Sequence, residues 1–382
     1  MMGMTSTGAA ALLCLAFLPP AAPAQVVLSG QTAADFYKSA VTQSPRAVDS
    51  GRPSFGWDTR LFVDGAVSDH VTALANIRAT NVDAVTFDYI AIRITDVTPL
   101  GLNFQAGKFD LPFGNLGERR FPRKNFLFGL ASIYEYRTAL PDHFSPGADN
   151  LVIPEREIIA GAGQGRGMRL LDLGMYHPGA MVFGSAGMID YAFAVTTGTV
   201  STSSYTSDNY NSDLGKVARL AVTPLTGLTI GGAYAWGAYM QEAYPVPGGE
   251  NPGSYTQRAA EADIEFSRGH AVLYGEAVSS TYAVPLTTGD QDLHVLGYYV
   301  EGKYTLIPRL YAALRYSGLS FGNIRAGGVE QPWDYNLQEW EGGFGYFIDR
   351  DVLLKAVRRE TRIRGGSQPK DNLSVIQLVV SY

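Results

Sequence analysis

The sequence predicts an all-β protein: a transmembrane antiparallel β-barrel of about 16 strands with a long third loop that folds inward. Segments of roughly ten residues alternate apolar and polar side chains, and short and long connectors separate them in turn. Charged residues are 17% of the chain, below the roughly 25% usual for soluble proteins. Beyond the N-terminus there is no apolar run of about 18 residues, so the sequence offers no membrane-spanning helix.

The first element, residues 1–24, is expected to be a secretory signal peptide outside the barrel. An apolar stretch at 9–18 precedes two prolines, and an Ala-Pro-Ala sequence at 22–24 provides the small residues of a cleavage site. The apolar stretch is too short to cross a membrane as a helix. We therefore expect two regions, a signal peptide at 1–24 and a barrel at 25–382, with the mature chain in the outer membrane of a Gram-negative bacterium.

The strands themselves follow from the alternation, and their number is even, as single-chain bacterial barrels require. The predicted strands are 26–40, 56–66, 71–80, 85–96, 102–110, 165–175, 188–198, 216–224, 228–239, 257–267, 271–281, 294–305, 309–319, 337–348, 352–363 and 372–382. Gly, Pro and Asp predict tight turns at 224–227, 267–270, 307–308 and 349–351. Longer polar connectors are predicted at 199–215, 240–256, 282–293 and 320–336.

Several strands carry charged side chains on one face and apolar side chains on the other, most clearly in the hairpin 293–319. A row of carboxylates on one strand face is tolerable only in water, which predicts a wide barrel with a wet lumen. The expected lumen-facing charges are Glu261, Asp263, Glu265, Glu301, Lys303, Arg315 and Lys355. Arg358 and Arg359 are adjacent, so a regular strand turns only one of them inward. The cations of the predicted strand 352–363 that point inward would face the acidic strand 257–267. They would act either as selectivity groups or as a structural ion-pair network.

The connector 111–164 is much longer than the other connectors. Loops longer than about 15 residues are uncommon unless they are functional or disordered. It contains enough apolar side chains to pack, and four cations lie close together in it: Arg119, Arg120, Arg123 and Lys124. If the loop folds inward, these cations line the constriction and favour anions. Two other arrangements stay open: opposite charges on facing walls, or an external loop that contacts lipopolysaccharide phosphates.

The last strand ends on Tyr382, with Ile376, Leu378 and Val380 on the same face. A terminal aromatic residue in phase with apolar residues is similar to the signal by which barrel assembly machinery recognises outer-membrane barrels. We therefore expect that machinery and the lipids of the outer membrane as partners.

Two segments resemble a known family. Residues 107–113, Gly-Lys-Phe-Asp-Leu-Pro-Phe, are similar to the G-x-F-x-x-P-F segment of phosphate-selective-type (OprO/OprP-like) porins, and the hairpin 297–316 resembles a hairpin of the same group. The resemblance implies a homotrimeric outer-membrane porin for passive diffusion of small hydrophilic solutes or ions. The arginine and lysine ladder of phosphate selectivity is not evident, so phosphate specificity is not implied.

Composition bounds the remaining functions. The net charge of −6 disfavours a nucleic-acid partner. The one cysteine, Cys14, lies in the predicted signal peptide, and no metal or other cofactor is expected. None of the five histidines lies in a catalytic motif, so we do not expect an enzyme. The alternatives to a porin are a plugged structural or adhesive barrel, which could sheathe a partner protein, and, less favoured, an outer-membrane enzyme.

Overall fold

The computed structural model describes residues 25–39, 53–80, 85–98, 101–143, 167–203, 213–244, 246–286, 289–326, 328–364 and 370–382. The predicted signal peptide, 1–24, lies outside the described residues, as does the stretch 144–166 of the long connector. In the described part of the chain, no helix has the length and apolar character needed to span a membrane.

The described residues form eighteen β-strands and one short α-helix, α1 (Ser132–Glu135). The strands are β1 (Gln25–Ser39), β2 (Pro53–Ser68), β3 (Val71–Thr80), β4 (Val85–Ile94), β5 (Asn103–Asp110), β6 (Tyr176–Ala186), β7 (Ile189–Thr196), β8 (Gly215–Leu225), β9 (Leu228–Ala238), β10 (Thr256–Arg268), β11 (Ala271–Leu286), β12 (Gly289–Ile307), β13 (Leu310–Phe321), β14 (Asn323–Ala326), β15 (Val329–Pro332), β16 (Leu337–Asp349), β17 (Val352–Ile363) and β18 (Lys370–Ser381).

All strands except β14 and β15 close into one antiparallel barrel, which confirms the predicted fold of sixteen barrel strands. Each barrel strand pairs with its neighbours in the sequence, and β13 pairs with β16 because β14 and β15 form a separate hairpin. The ring closes between the first and last strands, with Gln31 opposite Ser381. Closure leaves no free sheet edge along the paired residues.

The barrel strands turn polar and charged side chains inward and apolar side chains outward, the reverse of a soluble protein. On β17, Lys355 and Arg359 point inward and are 0% and 2% exposed, whereas Leu354 and Arg358 point outward. On β13, Arg315 is buried inside and Leu314 faces outward, 54% exposed. Apolar side chains outside and polar ones inside are the arrangement of a barrel surrounded by lipid.

The barrel has two unlike ends, which we name the turn rim and the loop rim. The turn rim carries the tight reversals, including the predicted turns after β8, β10, β12 and β16. Gly227, between β8 and β9, has a φ of 84°, in the left-handed region that favours glycine. The loop rim carries the longer connectors, among them the β14–β15 hairpin.

Two sequence predictions were wrong. The sixth strand is β6, Tyr176–Ala186, and not 165–175, because the apolar residues Met168, Leu170 and Leu171 belong to a core inside the barrel. The predicted connector 282–293 is mostly strand, since β11 extends to Leu286 and β12 begins at Gly289. Inward side chains of the extended strands, such as Tyr282 and Leu293, are buried. The alternation of inward and outward residues therefore continues into a segment whose polar composition indicated a connector.

Candidate functional site

The described parts of the third loop-rim connector, residues 111–143 and 167–175, lie inside the barrel, and we call them the inner loop. Its helix α1 contacts β12 and β13. Ile133 and Leu170 are fully buried in one apolar cluster with Val295 of β12 and Leu319 of β13. The close approach requires Gly297, because a Cβ there would lie 2.6 Å from Ile133 and 2.8 Å from Leu170. Apolar burial therefore fixes the inner loop to the β12–β13 wall.

A single buried cation holds one turn of the inner loop. The Lys355 ammonium donates hydrogen bonds to the carbonyl oxygens of Pro122 (3.0 Å), Asn125 (3.2 Å) and Leu127 (2.7 Å). An ammonium group has three N–H donors, and the loop backbone satisfies all of them. Backbone carbonyl dipoles thus compensate the charge directly.

A carboxylate binds the next residues of the same turn. Glu341 of β16 accepts hydrogen bonds from the backbone N–H groups of Phe128 (3.1 Å) and Gly129 (3.4 Å). The same carboxylate pairs with Arg359 (3.1 Å) and with Arg315. Arg315 also donates to the carbonyl oxygen of Gly129 at 2.8 Å. Charged groups on β13, β16 and β17 therefore position the backbone of the inner loop directly.

The opposite flank of the inner loop is held by Tyr134, whose hydroxyl lies 2.8 Å from both carboxylate oxygens of Glu276 on β11. Burial and the neighbouring Glu276 raise the pKa of the Tyr134 hydroxyl well above its ordinary value, so the phenol stays a hydrogen-bond donor. Arg359 adds an ion pair with Glu135 at 3.0 Å. The inner loop is thus tied to a continuous wall from β11 to β17.

The four cations predicted at the constriction lie in different surroundings. Arg119 stacks on Tyr274 (3.7 Å from the guanidinium carbon to the ring centroid) and donates to Tyr299, so it packs between the loop and the β11–β12 wall. Arg120 binds the carbonyl oxygen of Gly174 and pairs with Asp110 at 3.4 Å.

The other two cations lie further along the loop. The Arg123 guanidinium lies 4.7 Å from the ring centroid of Phe347 and donates to the carbonyl oxygen of Arg350 at 2.5 Å. Lys124 is exposed and pairs with Glu118 at 3.5 Å. The four side chains therefore do not form one ring of free cations.

The predicted lumen charges separate into two groups. Glu301, Lys303, Arg315 and Lys355 contact the inner loop or each other; Glu301 pairs with Arg315 at 2.9 Å, and Lys303 lies 4.7 Å from the ring centroid of Phe126. The acidic strand is different. Glu261 and Asp263 pair with Arg219 of β8 at 3.3 and 2.5 Å, and Glu265 is half-buried on the same face.

The expected pairing of the acidic strand with the cations of β17 was therefore wrong. The inner loop occupies the space between the two walls, so Lys355 and Arg359 bind loop groups instead. Arg219 reaches the acidic strand across Gly231 of β9, where a Cβ would lie 2.5 Å from both Arg219 and Asp263.

Two cavities adjoin the inner loop on the side away from its anchors. The turn-side cavity, about 650 Å³, reaches the turn rim and is lined by β1–β4 and residues 117–124 of the inner loop. The loop-side cavity, about 440 Å³, lies between the same strands and the inner loop, whose residues Arg169 and Asp172 line it. Space inside the barrel therefore lies along the β1–β4 wall.

Arg120 and Tyr176 line both cavities and so mark the boundary between them. Their side chains contact each other, with the guanidinium carbon 4.9 Å from the ring centroid. Across from them, Arg60 lies 5.1 Å from the Phe121 ring centroid and pairs with Asp88 at 2.8 Å. This boundary, formed by Arg60, Arg120, Phe121 and Tyr176, is the candidate constriction.

Sequence reasoning selected Arg120 but missed the other three residues of the candidate constriction. Arg60 alternates with Asp58 and Phe62 on one face of β2, a pattern that was available in the sequence. Tyr176 offered no such signal, because it begins a strand that was predicted eleven residues too early.

Fold and site together define a class: sixteen-stranded antiparallel barrels whose third loop-rim connector folds into the lumen. Several solved structures superpose on the chain over nearly its whole length. The anion-selective porin from Comamonas acidovorans matches with a TM-score of 0.61 and 10% identity, over 94% of this chain and 100% of that one. The outer membrane channel DcaP of Acinetobacter baumannii matches with a TM-score of 0.58 and 11% identity, over 94% and 97%.

A third match is OmpT, an outer membrane protein of Vibrio cholerae in its trimer form, with a TM-score of 0.57 and 12% identity, over 94% of this chain and 99% of that one. No protein-family model matches the sequence, and a search of curated proteins finds no match either. At these identities the likeness is one of fold, and it extends over nearly the whole length of both chains.

Proposed function

We propose that this protein is an outer-membrane porin that allows passive diffusion of small hydrophilic solutes or ions. One observation carries the proposal: the inner loop packs against the β11–β17 wall and leaves cavities of about 650 and 440 Å³ along β1–β4, on both sides of a charged constriction. Sixteen strands enclose a lumen too wide for wall side chains to fill. We therefore infer that solutes pass along the β1–β4 wall, through the candidate constriction between the two cavities.

The same proposal includes location, processing and assembly. The outward apolar face fits a Gram-negative outer membrane, and residues 1–24 serve as its signal peptide. The similar porin-fold structure described as a trimer supports a homotrimer. Insertion through barrel assembly machinery by the C-terminal strand, contact with lipopolysaccharide, and a channel rather than an enzymatic role belong to this proposal.

Planar-bilayer recording of the purified, folded protein tests the function. We expect stepwise conductance increments in KCl, because each inserted barrel adds one aqueous path. Folded barrels that insert into liposomes, as shown by their protection from protease, without conductance steps would instead support the plugged barrel.

Ion selectivity tests the position of the constriction. Arg120→Gln removes a cation at the boundary of the two cavities, so the reversal potential in a KCl gradient should move towards cation preference. Arg119→Gln is the matched control, because Arg119 stacks on Tyr274 away from both cavities and should leave the reversal potential unchanged. Equal shifts for both variants would contradict this location.

A further inference from the structure

The outward face of β17 carries charged side chains in its half nearer the loop rim. Arg358, Glu360, Arg362 and Arg364 are exposed, and the residues between them are buried. The backbone N–H of Arg364 donates to the carbonyl oxygen of Asn336 at 2.9 Å, so the pairing continues just beyond the strand. Side chains two residues apart on one face of a strand are about 6.5 Å apart. The four charged residues therefore form one row that ends at the loop rim.

This row extends sideways onto the neighbouring strands. Lys38 of β1 is paired with Ser374 of β18, and Ser374 is paired with Arg358, which donates to its hydroxyl at 2.7 Å. Strands are spaced about 4.8 Å apart, so the backbones of Lys38 and Arg358 lie about 10 Å apart, with both side chains exposed on one face. On the other side of β17, the exposed Trp340 lies opposite Glu360. We call this surface the loop-rim patch: Lys38, Arg358, Arg362, Arg364 and Trp340.

The loop-rim patch has an excess of positive charge. Among the described outward side chains of β1, β16, β17 and β18, the carboxylate is Glu360, and it pairs with Arg358 at 3.7 Å. In the same part of the chain, Arg362 and Arg364 form no ion pair. On a lipid-facing barrel surface, cations are tolerated near the headgroups and not at the bilayer centre. Two guanidinium groups near the loop rim are therefore available to an anion outside the protein.

The surface next to the patch, towards the turn rim, is apolar. Leu354 continues the outward face of β17, Ile376 and Leu378 continue that of β18, and Phe36 follows Lys38 on β1; all four are exposed. A ligand that matches both regions has an anionic head and apolar chains. An anionic lipid therefore fits this surface, whereas a free phosphate matches only the cations.

We propose that the loop-rim patch binds the phosphate groups of lipid A, the lipid part of lipopolysaccharide. This inference rests on the proposed outer-membrane location and gives the lipopolysaccharide contact a defined surface. Guanidinium groups bind phosphates through pairs of N–H donors, and tryptophan rings such as Trp340 favour the level of the lipid headgroups. The acyl chains would lie along the apolar residues of β17, β18 and β1.

Titration of the folded, detergent-solubilised barrel with lipid A, followed by native mass spectrometry, tests the patch. We expect bound lipid A, and much less binding of lipid A from which the phosphates have been removed. The double variant Arg362→Gln/Arg364→Gln should raise the half-saturating lipid A concentration by about 10-fold, because it loses two cations at the lipid surface. The matched control is Arg268→Gln/Arg309→Gln, which removes two exposed cations at the turn rim and should leave binding unchanged.

Two further variants measure the same contact independently. Arg362→Lys/Arg364→Lys keeps the charge and should retain most of the binding, and Lys38→Gln, on a different strand, should weaken it about 3-fold. Equal binding by the loop-rim and turn-rim glutamine variants, or by lipid A with and without phosphates, would overturn the proposal. So would a loop-rim variant that binds lipid A normally but loses its oligomeric state, because the patch would then contact a second copy of the chain. Failure of the channel function is distinguishable, since conductance in KCl is recorded without lipid A.

Discussion

Lys355 and Glu341 carry opposite charges and bind the same turn of the inner loop. Lys355 binds carbonyl oxygens from Pro122 to Leu127, and Glu341 binds the next two backbone N–H groups. Both partners on the loop are backbone atoms, so the loop's position at this turn depends on wall side chains more than on loop side chains. A buried charge needs such compensation, because burial without it is strongly unfavourable.

Lys355→Met tests whether the hydrogen bonds of Lys355 hold this turn of the inner loop against the wall. Methionine keeps most of the side-chain volume but leaves three buried carbonyl oxygens without their donor, and hydrogen bonds to charged groups contribute about 1.5–3 kcal/mol each. We expect the turn to leave the wall, so that single-channel current becomes noisier and its mean changes, while the barrel still folds by heat-modifiable gel mobility.

The matched control is Arg358→Met on the same strand, whose side chain faces outward and donates to Ser374. It should leave the current unchanged. A quiet, wild-type current from the Lys355 variant would show that the remaining contacts hold this turn without Lys355.

At the scale of elements, the inner loop depends on a glycine in the wall. α1 approaches β12 at Gly297, where a Cβ would overlap Ile133 and Leu170. A wall strand thus leaves out a side chain so that a loop helix can pack against its backbone.

Gly297→Val should displace α1 and change conductance, because overpacking a tight contact costs about 1–3 kcal/mol and the loop yields more easily than the barrel. Gly302→Val is the control on the same strand, since the nearest atoms to a Cβ there are 4.0 Å away. Equal conductance changes in the two variants would contradict a specific contact at Gly297.

The accuracy of the sequence predictions followed the physical origin of each pattern. Barrel strands that face lipid on one side and the lumen on the other alternate clearly, so the hairpin of β12 and β13 was predicted correctly. The sixth strand was displaced, because Leu170 and Leu171 bury against the wall within the inner loop and resemble strand residues in the sequence. The pairing of Lys355 with backbone carbonyls has no sequence pattern, since every residue supplies a carbonyl.

For the whole molecule, the outward apolar face is the surface that determines where the barrel is stable. Leu314, near the middle of β13, is 54% exposed, and Tyr316 packs on Trp340 at 4.5 Å between ring centroids further towards the loop rim. An outward face of apolar and aromatic side chains matches the lipid-facing surface of membrane barrels.

Leu314→Arg should therefore destabilise the lipid-embedded barrel by about 2–4 kcal/mol, as expected for a cation at the bilayer midplane. Urea unfolding in lipid vesicles measures the change. Ser320→Arg, also outward but close to the loop rim, is the control and should cost about 1 kcal/mol or less. Similar losses at the two positions would mean that Leu314 does not face the bilayer core.

Pairing of β1 with β18 has a kinetic consequence. The seam joins residues from opposite ends of the sequence, such as Phe36 and Ile376, so the contact that completes the ring has almost the largest separation along the chain. Such contacts form slowly. Until this one forms, β1 and β18 each expose a row of unsatisfied backbone groups, which lipid cannot satisfy. The lifetime of that open ribbon, more than the stability of the finished ring, sets how often a newly made chain aggregates before it inserts.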